Sequence, residues 1–315
     1  MRINWELPAL LETLCRLPVE EPFTTSQARE RGVKPVELGV LVAQGLIRNP
    51  VRGAYVRAEV QDTLFLRIQI LRLLVPPDCV VTDRTAAWLW GVSAALAPGD
   101  HLVTPPVSVF APPGRRLRNG LVDSGERRLA PGDVVEVEGL LVTCPLRTAC
   151  DVARLLPRDH ALAALDGLAA LGDFAVEQLN AEFGRFKRYR GIVQARTLGP
   201  LVDPRSGSHS ESVMRLRWID AGLPKPECQI EIPAPDGGFF LLDMGLREHR
   251  FAGEYDGEEF HGDDEREHDQ ERREWARRDL GWTIVVARKD NLYGRNQDID
   301  RILRQEFRAL TLKSR

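Results

Sequence analysis

Acidic residues and one histidine are concentrated between positions 243 and 261 of the chain. Asp243 ends an apolar run, and Glu254 and Asp256 follow a second one. Because side chains alternate along a strand, Glu254 and Asp256 are predicted to share one face, and a turn over 245–250 would bring Asp243 beside them. Grouped carboxylates repel one another unless a cation lies between them, and an oxygen-only set suits Mg²⁺ or Mn²⁺. We expect Asp243 and Glu254 to bind that cation, an arrangement typical of phosphodiester hydrolysis.

The same residues also have plain structural interpretations. Acidic residues at strand ends are common, and Asp256-Gly257 is an ordinary turn dipeptide. His261 is either a catalytic residue or a hydrogen-bonded surface histidine. Glu211 is either a fourth acid directed at the site or the far end of a capping box with Ser208, since the spacing is S-x-x-E. These alternatives stay open on sequence alone.

Helices are predicted on both sides of the acidic residues. Residues 208–219 combine a capping signal with an apolar stripe, and Gly222 follows as a stop. A charged helix is predicted over 269–278, and after Gly281 a buried strand over 283–286. The acidic residues are thus expected on a sheet that is flanked by helices.

The order of these features resembles the very-short-patch-repair (Vsr)-like branch of the PD-(D/E)XK nucleases. A helix with Glu211, a strand with Gln229, two strands with the acids, a following histidine and a helix with arginines occur in that order. The resemblance implies a restriction-endonuclease-like domain with a mixed sheet flanked by helices. It assigns roles to seven residues: metal binding to Asp243 and Glu254, positions near the metal to Asp256 and Glu211, proton transfer to His261, and phosphate contact to Arg272 or Arg273.

One position departs from the pattern of that superfamily. The usual lysine two places after the glutamate is replaced by Asp256. A lysine there would polarise the attacking water and offset developing negative charge, which an aspartate does not do. Either His261 or a second metal replaces the lysine, or the domain is inactive.

The first 60 residues are predicted to form three helices and a hairpin, the plan of a winged helix-turn-helix. Helices are predicted over 7–17, within 23–33 and over 35–44, and a two-stranded wing over 45–56. The motifs Thr-Ser-Gln-Ala, Gly-Leu-Ile-Arg and Arg-Gly-Ala-Tyr-Val resemble the N-terminal domain of AbiEi-like type IV antitoxins. In that family the domain binds operator DNA, so the resemblance implies DNA as a partner.

The expected recognition helix is poor in DNA-binding side chains. It contains no Arg or Lys, and Glu37 would repel phosphate. Lys34 flanks it, and Arg48 and Arg52 in the wing are placed to contact phosphates. The alternative is a winged helix that is used for packing or protein contact.

The central part carries alternating helix and strand signals. Helices are predicted over 84–91, 146–156, 158–171 and 175–183, and strands over 101–104, 107–110, 121–123 and 134–137. The stretch 143–153 resembles the central domain of AbiEi-like antitoxins. Asp83, His101 and Asp151 are interpreted as turn, cap or core residues. We therefore expect an α+β protein with a winged helix at 1–60, a mixed α/β domain at 61–197, a linker at 198–207 and a nuclease-fold domain at 208–315.

Composition narrows the class of protein. Five cysteines without paired spacing favour free thiols in a cytoplasmic protein over a disulfide framework or zinc ribbon. No twenty-residue apolar span is present, so no membrane partner is expected. The net charge is −3, with 43 basic and 46 acidic residues, so nucleic-acid binding would need a local basic face.

Two functions follow from these observations. The first is a metal-dependent DNA endonuclease that uses Mg²⁺ or Mn²⁺. The alternative is a DNA-binding regulator or antitoxin, with a cognate toxin as its partner and an inert nuclease-like domain. An intact metal cluster favours the first function, and the missing lysine favours the second.

Overall fold

The computed structural model describes residues 7–92, 106–111, 122–125, 128–257 and 263–313. They form a mixed α+β protein, as the sequence predicts, in two compact units, Met1–Val152 and Ala153–Arg315. The predicted strand over 101–104 and His101 lie outside the described residues. No helix among those described is long and apolar enough to cross a membrane.

The first unit begins with the helices and hairpin that the sequence predicts. The elements are α1 (Leu7–Cys15), β1 (Phe23–Thr24), α2 (Thr25–Glu30), α3 (Pro35–Ala43), β2 (Ile47–Val51) and β3 (Ala54–Arg57). The strands form one sheet in the order β1-β3-β2. Thr24 and Gln27 form a reciprocal capping box at the start of α2, which satisfies two backbone donors.

The rest of the first unit is a five-stranded sheet with helices. Its elements are α4 (Leu64–Leu74), β4 (Val80–Val81), α5 (Asp83–Leu89), β5 (Val107–Phe110), β6 (Val122–Gly125), β7 (Val134–Val137), β8 (Leu140–Thr143) and α6 (Pro145–Leu155), which runs on into the second unit. The sheet order is β6-β5-β4-β8-β7. Buried Arg147 bonds Asp151 at 2.9 Å and Asp133 at 2.6 Å, so Asp151 is a core residue, as predicted.

The second unit combines helices with a four-stranded sheet. Its elements are α7 (Arg158–Ala170), α8 (Val176–Glu182), α9 (Ile192–Leu198), α10 (His209–Asp220), β9 (Glu227–Pro233), β10 (Phe239–Leu246), β11 (Phe251–Tyr255), α11 (Asp263–Arg278), β12 (Thr283–Ala287), α12 (Lys289–Leu292) and α13 (Ile299–Lys313). The sheet order is β12-β11-β10-β9, with β11 and β12 parallel and the other pairs antiparallel.

Ion pairs join α7 to α10 within this unit. Arg215 and Asp166 are each 1% exposed and lie 2.5 Å apart. At the surface of the same interface, Arg158 donates two hydrogen bonds to the carboxylate of Asp220, at 2.6 and 2.7 Å. Asp166 also accepts the backbone N–H of Asp203 at 2.9 Å, so the segment 198–207, expected to be a linker, packs onto α7.

A pair of histidines completes the α7–α10 interface. Nδ1 of His160 lies 2.9 Å from Nε2 of His209, and Nδ1 of His209 lies 3.2 Å from the Tyr293 hydroxyl. That hydroxyl donates to Ser210 at 2.9 Å. Burial, with a smaller contribution from the charge of His160, lowers the pKa of His209 to about 4, although Asp159 opposes the shift.

Acid should therefore weaken the fold through His209. A histidine whose pKa is depressed in the folded state takes up its proton mainly in the unfolded state, so stability is lost as pH falls from about 6.5 towards 4. Replacing His209→Gln should reduce the difference in unfolding free energy between pH 7 and pH 4.5 by about 1–2 kcal/mol. Urea denaturation at both pH values measures it, with His249→Gln, an exposed histidine, as control. An unchanged pH dependence in His209→Gln would contradict this expectation.

Candidate functional site

The sheet of the second unit carries the acidic residues on neighbouring strands. The antiparallel register pairs Met244 with Gly253, so Asp243 and Glu254 occupy the next positions outward. The Tyr255 N–H donates to Oδ2 of Asp243 at 2.8 Å. The hairpin thus places Asp243 beside the strand that carries Glu254, as the turn over 245–250 predicts.

Two arginines of α11 are bonded to this acidic group. Nε of Arg273 donates to Oε2 of Glu254 at 2.8 Å, and its Nη1 donates to Asp256 at 3.0 Å. Arg272 reaches the same Glu254 oxygen at 3.3 Å and the Leu241 carbonyl at 2.8 Å. Glu254 is only 1% exposed, so these guanidinium groups neutralise a buried carboxylate.

Glu211 lies at the start of α10 and has more than one bond. Its N–H donates to the Ser208 hydroxyl at 3.2 Å, which is one half of a capping box. Its carboxylate accepts instead from Gly207 N–H and from the Gln229 amide, both at 2.9 Å. Gln229 has a φ of +54°, a region that non-glycine residues seldom occupy. This unusual backbone presents the Gln229 side chain to Glu211.

The neighbouring acids shift the pKa of Asp243. Burial and the negative charges of Glu211 and Glu254 raise the pKa of Asp243 to about 8, although the Tyr255 N–H and Arg272 act in the opposite direction. Glu211 and Glu254 are therefore close enough to disfavour a negative charge on Asp243, and the raised pKa favours its protonated form.

The carboxylates of this acidic group fit a metal site only in part. Arg272 and Arg273 hold Oε2 of Glu254 and one oxygen of Asp256, whereas Oε1 of Glu254 is buried without a hydrogen-bond partner among the described residues. Within the same residues no group of three His, Cys, Asp or Glu side chains is arranged to hold a metal ion. His261, predicted to assist proton transfer, lies outside the described residues.

The three basic residues predicted to contact DNA differ in their surroundings. Lys34 and Arg52 are exposed, whereas Arg48 is partly buried and donates to the carbonyl of Val60. Glu37, expected to repel phosphate, accepts the backbone N–H of Lys34 at 2.5 Å and so caps α3. Arg48 thus has a hydrogen-bond partner within the protein.

The sequence predicts Arg272 or Arg273 at a phosphate, whereas both are bonded to the acids in the structure. The signal was available, because two adjacent arginines lie on a helix that must pack on a sheet with buried carboxylates. A charge that is buried on one element usually requires an opposite charge on the element packed against it.

Comparison with known proteins adds three findings. Residues 79–203 match a family model described as the AbiEi antitoxin C-terminal domain. Two relatives come from Mycobacterium tuberculosis, "Uncharacterized protein MT2308" of strain CDC 1551 / Oshkosh and "Uncharacterized protein Rv2248" of strain ATCC 25618 / H37Rv. Each is 34% identical over 258 residues, which is 81% of this chain and 90% of the relative.

Arg273 should be necessary for the stability of this domain. Replacing Arg273→Met would leave Glu254 and Asp256 without their shared counter-charge and should cost about 3–5 kcal/mol of unfolding free energy. Arg278→Met on the same helix should cost less than about 0.5 kcal/mol, because its side chain is 77% exposed. The double variant Arg273→Met/Glu254→Gln should recover much of the loss. Equal stability of both single variants in urea denaturation would show that the buried pair is not required.

Proposed function

Since the chain belongs to the family of these two Mycobacterium tuberculosis proteins and carries an AbiEi antitoxin C-terminal domain, we propose that it is a DNA-binding regulator of the antitoxin class. The match of residues 79–203 to that domain is the observation that carries the proposal. A cognate toxin is then the partner that it would oppose, and the operator of its own gene is the DNA that it would bind.

The first 60 residues support the DNA-binding part of this proposal. They supply two short helices, α2 and α3, followed by a hairpin, which is the element order of a winged helix-turn-helix. α3 exposes Val36 and Gly39 and carries no cationic side chain within its bounds. Lys34 at its start and Arg52 in the hairpin are exposed, so contact with phosphates is expected to exceed contact with bases.

The second unit supports a non-catalytic role for the nuclease-like domain. Asp256 occupies the position of the usual lysine and shares Arg273 with Glu254. Oε2 of Glu254 and Oδ2 of Asp256 are thus hydrogen-bonded by the protein itself. We infer that the domain contributes structure or partner binding to the regulator.

A second candidate function, a metal-dependent nuclease, is favoured by one observation. Oε1 of Glu254 is buried without a partner among the described residues, and Asp243 lies beside it with a raised pKa. Those two residues would hold Mg²⁺ or Mn²⁺, which would activate a water and stabilise charge on the phosphate. The cation would then attract the carboxylates of Asp243, Glu211 and Glu254 and offset the repulsion between them.

DNA binding is the first property to test. Wild-type protein should bind a duplex from upstream of its own gene in fluorescence anisotropy, and Lys34→Ala/Arg52→Ala should weaken binding by about tenfold or more. The slope of log K against log salt should fall by up to about 1.8, since each phosphate contact contributes about 0.9. Arg16→Ala/Arg72→Ala removes two other exposed cations of the same unit and is the control. Absence of binding to any duplex by the wild type would reject the regulator.

Metal dependence separates the two candidate functions. If the protein is the regulator, wild type and Asp243→Asn should nick a plasmid equally in Mn²⁺. The melting temperature of neither protein should then respond to Mn²⁺. Nicking that Asp243→Asn abolishes, together with a Mn²⁺-dependent rise in wild-type melting temperature, would instead establish the nuclease. The thermal measurement reports binding even when the DNA substrate is wrong.

A further inference from the structure

Positively charged residues are concentrated in one segment of the second unit. Residues 183–202 contain five basic and no acidic residues, although the whole chain has a net charge of −3. Arg185 pairs with Glu182. The other four, which we call the cationic platform, are exposed: Lys187, Arg188, Arg190 and Arg196. None of these four side chains forms an ion pair within the part of the chain that the structure describes.

A buried arginine fixes the backbone beneath this platform. Arg154, 7% exposed, donates to the carbonyl of Arg190 at 3.3 Å. Its guanidinium lies 4.6 Å from the Phe186 ring centre and 5.5 Å from that of Tyr189. The two rings also meet edge to face at 5.7 Å. Lys187, Arg188 and Arg190 are therefore carried by a loop whose underside is packed, and Arg196 follows in α9.

Gly191 allows this loop to approach α6 closely. It has a φ of +76°, and a Cβ atom there would lie 1.8 Å from the Arg154 carbonyl oxygen. Three residues on, the Gln194 amide donates to the carbonyls of Ala153 and Leu156, both at 2.9 Å. The end of α6 is thus joined to the loop and to the start of α9. This attachment holds the platform in one arrangement before any ligand binds.

The chemistry of the platform selects a polyanion. No ion pair neutralises these four exposed cations within the described residues, so their positive charge favours a chain of phosphates, whose binding releases counterions. Two uncharged side chains that could contact bases are already engaged: the Gln194 amide by two carbonyls, and the Tyr189 ring, although 47% exposed, by Phe186 and Arg154. The arrangement suits a backbone of regularly spaced phosphates better than splayed bases, which need free aromatic faces.

We propose that the cationic platform binds the phosphate backbone of duplex DNA. This inference rests on the proposed function for the identity of the nucleic acid and adds a contact outside the first 60 residues. Because phosphate contacts carry no sequence information, the platform supplies affinity and leaves operator choice to other residues. The second unit then contributes to DNA binding without any chemistry at its acidic group.

The test compares four proteins by fluorescence anisotropy. Each is measured on the duplex from upstream of the protein's own gene and on an unrelated duplex of equal length. They are wild type, the platform variant Lys187→Ala/Arg188→Ala/Arg190→Ala, its charge-keeping counterpart Arg188→Lys/Arg190→Lys, and the charge-matched control Arg278→Ala/Arg295→Ala/Arg308→Ala, whose side chains are also exposed in the second unit. The platform variant should bind both duplexes at least about tenfold more weakly, and its salt slope should fall by up to about 2.7. The charge-keeping variant and the control should stay within about threefold of wild type.

The outcomes separate this inference from the proposed function. If the platform variant binds like wild type while Lys34→Ala/Arg52→Ala loses affinity, the platform inference is wrong and the regulator stands. If the platform variant alone loses affinity, the platform stands and the expected hairpin contact is wrong. Tighter binding of wild type to single-stranded RNA than to duplex would overturn the assignment to duplex DNA. Equal losses of affinity in the platform variant and the control would overturn the role of the platform.

Discussion

The buried pair of Asp166 and Arg215 is the interaction on which the second unit depends. Each side chain is 1% exposed, so each needs the other, because an isolated buried charge costs several kcal/mol. The pair connects α7, inside the region that matches the antitoxin domain, with α10, whose first turn carries Glu211. By accepting the Asp203 N–H, Asp166 also fixes the chain between these helices. Within the second unit, α7 and the chain at Asp203 are therefore joined to α10 by this ion pair and hydrogen bond.

The same principle governs the acidic group on the sheet. Carboxylates buried close together need positive charge, and either a metal ion or a guanidinium group can supply it. Here α11 supplies Arg272 and Arg273 to Glu254, and Arg273 extends to Asp256. Glu254 and Asp256 thus stabilise the packing of α11 on the sheet, and Asp256 provides Arg273 with a second acceptor.

Arginine has a different role where it faces solvent. Arg154 lies under the loop 185–190 and directs its charge towards aromatic rings and a carbonyl, while the four platform cations are exposed. The buried Arg154 stabilises the fold, and the exposed cationic platform remains available to a polyanion. For a chain of net charge −3, such local separation of charge is the condition for contact with nucleic acid.

Local patterns in the sequence predict many of the elements and the family resemblance of the antitoxin part. Apolar periodicity, caps and glycine stops placed α3, β5, β7 and α7 within one or two residues, because those signals are local. It missed β4 and β8, since two to four apolar residues become a strand only when neighbours pair with them. Tertiary structure alone decided that Arg273 neutralises Glu254, that Arg48 bonds Val60, and that 198–207 packs on α7. Each of these depends on which side chains meet across the fold, and spacing along the chain does not encode that.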